Sequence, residues 1–349
     1  MKPAVGLSII CCLLASTSLA DEKPLQGSPT AKDSPAKDEP IIFNLVIEND
    51  SIGGRGTDKN YTSGVRIGAL HPDFEIPEFI KDLNDTFLPS KIEGDIAVSY
   101  SIGNNLYTPE DITQVAQDPD DRPWAGHTYV SLGVTHNKKN SNYMDELEVS
   151  FGVVGPYSLG EQFQKFVHTH VTPDSPTPKG WRNQLKTEPT LSVAWQRRHF
   201  LFESSDFMGL TVGASPYYGA TLGNAHTHGT AGMNFFIGPS DNGLQDTPLR
   251  VKPGIAGTGY FEKPDNGLNW YLFAGVEGRA VARNIFLDGN TFADSHSVDK
   301  KNLVADANAG IAFTIGNTRI SYTLVYRTEE FQGQSEPSVF GALSVGVRF

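Results

Sequence analysis

The chain has 349 residues, a formal net charge of −12 and only two cysteines, Cys11 and Cys12. Because an acidic protein repels the phosphate backbone, this charge argues against a nucleic-acid binder. Both cysteines lie in the first twenty residues, so cleavage of a signal peptide there excludes disulfides, thiolate metal sites and cysteine nucleophiles. No later stretch is apolar for long enough to form a transmembrane helix.

Residues 1–20 have the pattern of a secretory signal peptide. Lys2 gives the positive start, Ala4–Ala15 is mostly apolar, and Ser18-Leu19-Ala20 offers small residues at a cleavage site. The apolar run is shorter than the roughly 20 residues that a membrane anchor needs. Residues 21–40 are rich in Pro, Lys, Asp and Ser, which predicts a flexible periplasmic leader. Residues 41–349 are predicted to form the folded domain.

From residue 42 onward, short segments alternate between an apolar and a polar face with the period of two that strands have. In the last segment, Leu343, Val345 and Val347 fall on one face, and Ser344 and Arg348 fall on the other. Polar and charged residues on the second face fit a wet lumen, while the apolar face contacts lipid. A water-soluble sandwich would have to bury these charges in a dry core, at a high cost in free energy.

Twelve such segments occur, each of about ten residues, the length that a tilted strand needs to cross a bilayer. They lie near residues 42–50, 61–70, 95–104, 126–136, 146–154, 188–199, 208–217, 228–238, 269–279, 303–314, 318–328 and 338–349. An even number of strands is typical of single-chain bacterial barrels. The sequence therefore predicts an all-β fold, a transmembrane antiparallel barrel of the outer membrane with both ends in the periplasm. The connections 71–94 and 239–268 are then expected to be long periplasmic segments.

The third outer loop, residues 155–187, contains a predicted helix at Leu159–Val171. Its apolar stripe is formed by Phe163, Phe166 and Val167. The opposite face, at helical spacing, carries Glu161, Gln164, Lys165 and His168. A lone histidine on a helix is usually solvated or structural, but histidine can also serve as a general base near neutral pH.

Polar residues flank the first outer loop, residues 51–60. Asn49 and Asp50 precede this loop and Thr62 follows it, and strand parity puts Asp50 and Thr62 on the lumen face. Taken alone, these residues fit the turn chemistry that surrounds a Gly-Gly pair. At the same rim as the histidine, they can also orient an imidazole or hold a hard cation through oxygen ligands.

Several short motifs occur in a specific order along the chain. They are Asn49-Asp50, Tyr61-Thr62-x-Gly64, Tyr107-x-Pro109, Asp121-Arg122, Gly155-Pro156, His168, Trp181-x-x-Gln184 and Ala274-Gly275-Val276-Glu277. This ordered set resembles the lipid A deacylases of the LpxR family, and the resemblance spans roughly Asn44–Phe349. The family consists of outer-membrane barrels that remove the 3′-acyloxyacyl chain of lipid A in a calcium-dependent reaction.

The resemblance implies a monomeric hydrolase in the outer membrane of a Gram-negative cell, with lipid A of the lipopolysaccharide as substrate and its site at the extracellular rim. It implies that His168 activates water, that Asp50 and Asn49 are catalytic residues around a calcium ion (Ca2+), and that Thr62 supplies a hydroxyl. The implied mechanism uses calcium to stabilise the oxyanion and forms no acyl-enzyme.

One feature departs from the family pattern, which has a lysine in the loop after Tyr-x-Pro. Here Glu110–Asp121 contains five acidic residues and no basic one. Either Arg122 or Lys165 takes over the contact with the lipid phosphate, or the substrate differs. Two other classes of function remain open at this stage: a barrel without activity that serves as a pore or adhesin, and a serine-dependent phospholipase-type esterase barrel.

Overall fold

The computed structural model describes residues 41–53, 58–72, 95–137, 142–172, 175–207, 209–239 and 248–349. Within these ranges the regular secondary structure is mostly strand. They are β1 (Ile42–Asn49), β2 (Asn60–His71), β3 (Asp95–Thr108), β4 (Ala125–Asn137), β5 (Tyr143–Val154), β6 (Glu188–His199), β7 (Phe202–Phe207), β8 (Leu210–Gly223), β9 (His226–Pro239), β10 (Leu268–Asn284), β11 (Leu303–Ile315), β12 (Thr318–Arg327) and β13 (Ser338–Arg348).

The strands form one closed antiparallel barrel. Strands that follow one another in sequence pair in order, and β1 also pairs with β13, with Ile42 opposite Arg348. Both β6 and β7 pair with β8: Ser192 lies opposite Gly223, and β7 pairs with the opening part of β8. Because β6 and β7 pair with different parts of the same edge of β8, together they occupy one strand position in the barrel. The barrel therefore has the twelve strand positions that the sequence predicted.

Along each strand the two faces differ as the alternation predicted. Phe43, Leu45 and Ile47 of β1 are exposed on the outer wall, while Asn44 and Glu48 are buried inside. Charged residues of other strands also point into the lumen, where they pair with opposite charges. These residues include Arg66, Glu148, Glu277, Arg279, Asp306 and Arg327. Arg319 instead donates to the carbonyl of Tyr260. The apolar outer wall is what a lipid bilayer requires, because it offers no polar group to the hydrocarbon.

The lumen is filled by residues 248–267, the described part of the connection between β9 and β10. We call it the inserted segment. Arg250 pairs with Glu48 at 3.1 Å and Lys252 pairs with Glu277 at 2.6 Å. The hydroxyl of Tyr61 donates to the carbonyl of Val251. The expectation that 239–268 is a periplasmic segment is therefore wrong for its described part, because its cations find their partners on the inner wall. Of the other connection, residues 73–94 lie outside the described residues.

Two α-helices accompany the barrel in the described part of the chain. Helix α1 (Gly160–His170) lies in the predicted third outer loop, within one residue of the bounds expected from its periodicity at either end. Helix α2 (Ile285–Asp288) is a single turn after β10. Neither helix of the described part has the length and hydropathy that crossing a bilayer requires. Both stand at one end of the barrel, where β1 ends and β2 begins, which we call the upper rim.

Candidate active site between the outer wall and helix α1

Helix α1 packs against the outside of the barrel wall. A side chain added at Gly126 of β4 would meet the Cα atom of Gly160, the first residue of α1. Gly126 shares its strand face with Val130 and Leu132, which are exposed on the lipid-facing wall. The carbonyl oxygen of Ser158, just before α1, accepts hydrogen bonds from Asn104 and Thr128 on the same face. Helix α1 therefore lies on the lipid-facing side of the wall, and the wall separates it from the lumen.

The polar face of α1 points toward the wall. Gly160, Gln164 and His168, spaced four residues apart, are the buried residues of the helix. Phe163 packs on an apolar cluster beside the wall, whereas Phe166 is 58% exposed. The predicted separation into two faces is therefore only partly correct, because Lys165 is exposed while Gln164 and His168 are covered. A helix that buries its polar residues and exposes a phenylalanine fits a surface that faces lipid.

His168 is held by an oxygen atom on each side of its ring. Its Nε2 lies 2.8 Å from Oδ2 of Asp58, and its Nδ1 lies 2.9 Å from the carbonyl oxygen of Pro176. The side chain is 9% exposed, so this histidine is neither solvated nor free to rotate. His170, two residues later, lies on the exposed side and stacks on Phe166. The structure thus distinguishes the two histidines, because His168 is enclosed and His170 is exposed.

Asp58 is a site residue that sequence reasoning missed. It lies in the first outer loop with φ of +47°, and Asn60 follows with φ of +63°. Asp and Asn tolerate this left-handed conformation better than most residues. The backbone carbonyl of Asp58 accepts a hydrogen bond of 2.7 Å from the hydroxyl of Thr108. Two left-handed residues around Lys59 indicate a constrained loop. The partner of the Asp58 carboxylate could not be predicted, because it lies on a helix 110 positions later in the chain.

Thr62 supports this loop from the wall. The strand pairing of β2 with β3 shifts between Tyr61 and Ser63, so Thr62 lies at a β-bulge. Its Oγ1 is 2.6 Å from Oγ1 of Thr108. Since the single hydroxyl proton of Thr108 goes to the carbonyl of Asp58, Thr62 is the donor of this hydrogen bond. The expectation that Thr62 faces the lumen is wrong, because the extra residue of a bulge reverses strand parity at that point.

Asp50 follows the end of β1 and is almost fully buried, with 4% of its surface exposed. Backbone N–H groups of Ser51, Asp58 and Lys59 donate to its carboxylate. Burial, together with the nearby negative charge of Asp58, raises the pKa of the Asp50 carboxyl to about 6. Burial also raises the pKa of Asp58, although the adjacent His168 partly opposes this shift. Two carboxylates of the same sign therefore share this buried corner of the upper rim.

Asn49 takes part in the turn next to this corner. Its Nδ2 donates to the carbonyl of Thr62 at 3.1 Å, and its Oδ1 accepts from the backbone N–H and the hydroxyl of Ser51. By strand parity its side chain is on the opposite face from that of Glu48. The amide of Asn49 thus fastens the end of β1 to the start of β2, and this fixes the turn that carries Asp50.

Gln164 presents an unsatisfied amide on the inner face of α1. The indole N–H of Trp181 can only donate, so its 2.7 Å contact identifies the accepting atom of Gln164 as Oε1. The Nε2 group of Gln164 is buried and has no hydrogen-bond partner among the described residues. Gln164 is 2% exposed and lies one helical turn before His168. A buried amide donor without a partner is costly, and such groups are found at functional sites.

The two basic residues proposed from the sequence occupy different places. Arg122 is fully buried, packs over the ring of Tyr107 and lies 3.5 Å from Glu330. Lys165 is 54% exposed on α1 and pairs with Glu161, also on α1, at 2.6 Å. Lys165 is therefore accessible to a substrate in the outer leaflet, whereas Arg122 is enclosed.

The acidic loop after β3 borders a cavity of about 310 Å3 at the upper rim. Glu110, Asp111, Asp118 and Asp121 line the cavity together with Asn60. Lys59 reaches this loop from the neighbouring turn and pairs with Glu110 at 3.1 Å and also with Glu336. The loop thus contains no basic residue in place of the lysine that the family pattern has after Tyr-x-Pro. The acidic side chains of the loop would repel a phosphate group.

The corner of the upper rim that holds Asp50 and Asp58 is rich in oxygen atoms, which are the ligands that hard cations prefer. In the part of the chain that the structure describes, no three side chains of His, Cys, Asp or Glu are arranged to hold a metal ion. Calcium is less demanding, because it accepts carboxylates, backbone carbonyls and water in a flexible shell of about six to eight oxygens. The raised pKa of Asp50 means that its buried negative charge is not fully compensated. Of the two residues expected to hold calcium, Asp50 offers a carboxylate, whereas Oδ1 of Asn49 already accepts two hydrogen bonds from Ser51.

Comparisons with known proteins agree with this architecture. A family model described as outer membrane protein LpxR matches residues 7–349 of the chain. Among solved structures, LpxR from Salmonella typhimurium has a TM-score of 0.68 at 19% sequence identity, covering 88% of this chain and 100% of that one. At this identity the likeness supports the fold.

Other solved structures are similar at a lower level. The β domain of the Bordetella autotransporter Brka covers 90% of this chain and 99% of its own, at 8% identity and a TM-score of 0.43. The KdgM porin covers 88% and 99%, at 8% identity and a TM-score of 0.36. No curated protein sequence matches the chain. The family match therefore rests on the model that spans nearly the whole chain.

Proposed function

Because the chain belongs to the LpxR family of outer-membrane proteins, we propose that it is a hydrolase that removes the 3′-acyloxyacyl chain of lipid A. The observation that carries this proposal is the buried His168, held 2.8 Å from a carboxylate beneath a helix on the lipid-facing wall. A histidine in this position can take a proton from water and pass it to a leaving alkoxide. A lipid can enter laterally from the outer leaflet, with its acyl chains remaining in the bilayer.

Each neighbour of His168 has a proposed task. Asp50, with Asn49 fixing its turn, is proposed to hold a calcium ion. When bound, this ion would polarise the ester carbonyl and stabilise negative charge on its oxygen. The unpartnered Nε2 of Gln164 is a second candidate donor to that oxygen. Thr62 contributes indirectly, because its hydroxyl supports the loop of Asp58 through Thr108.

We further propose that Lys165 contacts a phosphate of lipid A. It stands exposed on α1 one turn from His168, and an exposed lysine can leave its partner Glu161 at little cost. The enclosed Arg122 would have to break its contacts with Tyr107 and Glu330 to take this role. The substrate, lipid A in lipopolysaccharide, therefore has its phosphate near α1 in this proposal.

The inserted segment weighs against the alternative of a pore. It fills the barrel interior, and cavities left between it and the wall have volumes of about 40 and 20 Å3. Such volumes hold one or a few water molecules. A sugar or a hydrated ion does not fit into them, so conduction would require the inserted segment to leave.

The proposal is tested with purified protein, lipid A vesicles and mass spectrometry. Wild type with calcium should release the 3′-acyloxyacyl chain, and chelation of calcium should stop the release. Phospholipid vesicles test the phospholipase-type alternative in the same assay, and solute flux into vesicles tests the pore. Intact lipid A after incubation with folded wild-type protein and calcium would reject the proposed activity.

A further inference from the structure

His168 faces more hydrogen-bond acceptors than a neutral imidazole can satisfy. Oδ2 of Asp58 lies on the Nε2 side and the carbonyl of Pro176 on the Nδ1 side, at 2.8 and 2.9 Å. A neutral ring carries one N–H and so donates to only one of these oxygens. A base needs its other nitrogen open to water. If His168 is the base of the proposed function, one of the two contacts must give way when the substrate binds.

The contact with Asp58 is the one anchored to the barrel. Thr62 donates to Thr108, and Thr108 donates to the carbonyl of Asp58, at 2.6 and 2.7 Å. Thr62 and Thr108 are 2% and 0% exposed, so this chain of hydrogen bonds begins inside the wall. The φ of +47° at Asp58 further restricts its backbone, because few residues adopt this conformation. Moving Asp58 would therefore disturb the strand ends beneath it.

The contact with Pro176 has weaker support. Pro176 is exposed, and a proline has no backbone N–H with which to fix its own position. Its neighbour Ser175 bonds to Thr172 within the same short turn after α1. Displacing the carbonyl of Pro176 by a water molecule or by the substrate therefore requires no change in the barrel.

We propose that Asp58 is the positioning residue of His168: its Oδ2 accepts a hydrogen bond from Nε2–H of the ring, which leaves the lone pair of Nδ1 free to act as the base. The carbonyl of Pro176 marks the place that the attacking water takes. The proposal rests on the proposed function for the role of His168 as a base. Asp58 itself touches neither water nor ester, and it acts through the orientation and tautomer of the ring.

The reaction steps balance without any further reactant. Water attacks the ester carbon while its proton passes to Nδ1, forming a tetrahedral intermediate. The bond between this carbon and the sugar oxygen then breaks, and Nδ1 returns its proton to the leaving alkoxide. The products are a fatty acid and the free sugar hydroxyl. During these steps the ring is an imidazolium, which the carboxylate of Asp58 stabilises across 2.8 Å.

Asp58→Asn tests this role at nearly constant volume. The carboxamide removes the negative charge and can donate to Nε2, which favours the tautomer with its proton on Nδ1. We expect kcat for lipid A hydrolysis to fall by about 10² to 10⁴, with KM within about two-fold of wild type. The matched control is Asp288→Asn, since Asp288 is another rim carboxylate in an ion pair of 2.8 Å, with Lys300. The control variant should keep wild-type turnover.

The tautomer itself can be read without turnover. Nitrogen-15 NMR of the histidine rings in detergent, with His168 assigned by its loss in His168→Ala, should show a protonated Nε2 in the neutral ring of wild type. Asp58→Asn should shift the proton toward Nδ1. If the wild-type protein proves inactive on lipid A, the proposed function fails, whereas the spectrum still decides whether Asp58 holds Nε2–H.

The opposite results would overturn the proposal. Turnover that rises or stays unchanged in Asp58→Asn would mean that Asp58 blocks the ring rather than orienting it. A wild-type ring protonated on Nδ1 would have the same consequence. If Asp58→Asn does not fold, Thr108→Val removes only the hydroxyl that anchors the Asp58 carbonyl. It should lower kcat by about ten-fold with KM retained, and unchanged kcat would contradict the proposal.

Discussion

The lumen and the corner between α1 and the upper rim differ in how their charges are paired. We call this corner, which contains Asp50, Asp58, Asn60, Gln164 and His168, the groove. In the lumen, carboxylates of the inner wall lie beside cations: Asp306 lies 2.8 Å from Arg279 and 2.9 Å from Arg327, and Glu277 lies 2.6 Å from Lys252. In the groove, Asp50 and Asp58 have the same sign and both have a raised pKa. Thus the interior of this barrel is electrostatically compensated, whereas its outer corner is left partly uncompensated.

The groove also concentrates features that cost free energy. It contains two non-glycine residues with positive φ, Asp58 and Asn60, and the buried amide of Gln164 without a partner. Such strain persists only where the surrounding structure enforces it, and it is found at functional sites. We therefore expect the lumen charges to serve stability and the groove charges to serve the proposed chemistry. Variants in the two regions should consequently fail in different assays.

The largest effect is expected from His168→Ala in the groove. Turnover of lipid A should fall by about 10² to 10⁴, because a general base contributes this much to catalysis, while the barrel still folds. Steady-state release of fatty acid measures the loss, and the heat-dependent shift of the barrel on a gel checks folding. His170→Ala is the control, since His170 is exposed on the same helix. Equal losses at both positions would indicate damage to α1 rather than removal of a base.

In the lumen the expected loss is one of stability. Asp306→Ala leaves Arg279 and Arg327 buried with one partner fewer, so the free energy of unfolding should drop by about 3 kcal/mol. Urea unfolding in lipid vesicles measures this change, with the exposed pair variant Glu161→Gln as a control near zero. Turnover per folded barrel should stay at the wild-type level. A loss of turnover equal to that of His168→Ala would contradict the expectation that the lumen charges affect stability and not activity.

Asp50→Asn should separate stability from activity within the groove. Because burial and Asp58 raise its pKa from 3.8 to about 6, folding favours protonated Asp50. The wild-type barrel therefore loses stability as pH rises from about 4 to 6 and keeps that deficit above 6. In chelator at pH 8, Asp50→Asn should be more stable than wild type by about 2 to 3 kcal/mol.

The same variant should lose its response to calcium. Added calcium should stabilise wild type but not Asp50→Asn, and turnover should fall to the level of chelated wild type. Below pH 4 the two proteins should unfold at the same denaturant concentration. A less stable Asp50→Asn at pH 8 in chelator would contradict the account of an uncompensated carboxylate.

The smallest effect is expected at the edge of the groove. Lys165→Gln should raise KM for lipid A by about three- to ten-fold with kcat unchanged, since it removes binding but no transition-state contact. The loss should shrink at high salt, because an exposed charge is screened. Lys300→Gln, which changes another ion-paired lysine of the upper rim, is the control. An unchanged KM would mean that a residue other than Lys165 contacts the phosphate.

The alternation of apolar and polar residues predicted the barrel, which the structure confirms, and the helical period selected His168 as the candidate base. Alternation with a period of two is a local property, so each strand and its lipid-facing side could be assigned from side chains such as Phe43 and Glu48. The helical period of the third outer loop likewise located α1 and put Gln164 and His168 on one face. These features depend on neighbours within a few residues, which is the range that a sequence pattern reports.

What surrounds His168 was decided by the tertiary structure alone. Asp58 reaches the ring because β2 and β3 pair beside α1, and no spacing in the sequence encodes that approach across 110 residues. The bulge at Thr62 adds one residue and reverses the face that strand parity assigned. The insertion of residues 248–267 into the lumen depends on pairing Arg250 with Glu48, 202 positions away. Such contacts arise only when distant strands are brought together, since long-range charge pairing and one-residue register shifts leave no periodic trace in the chain.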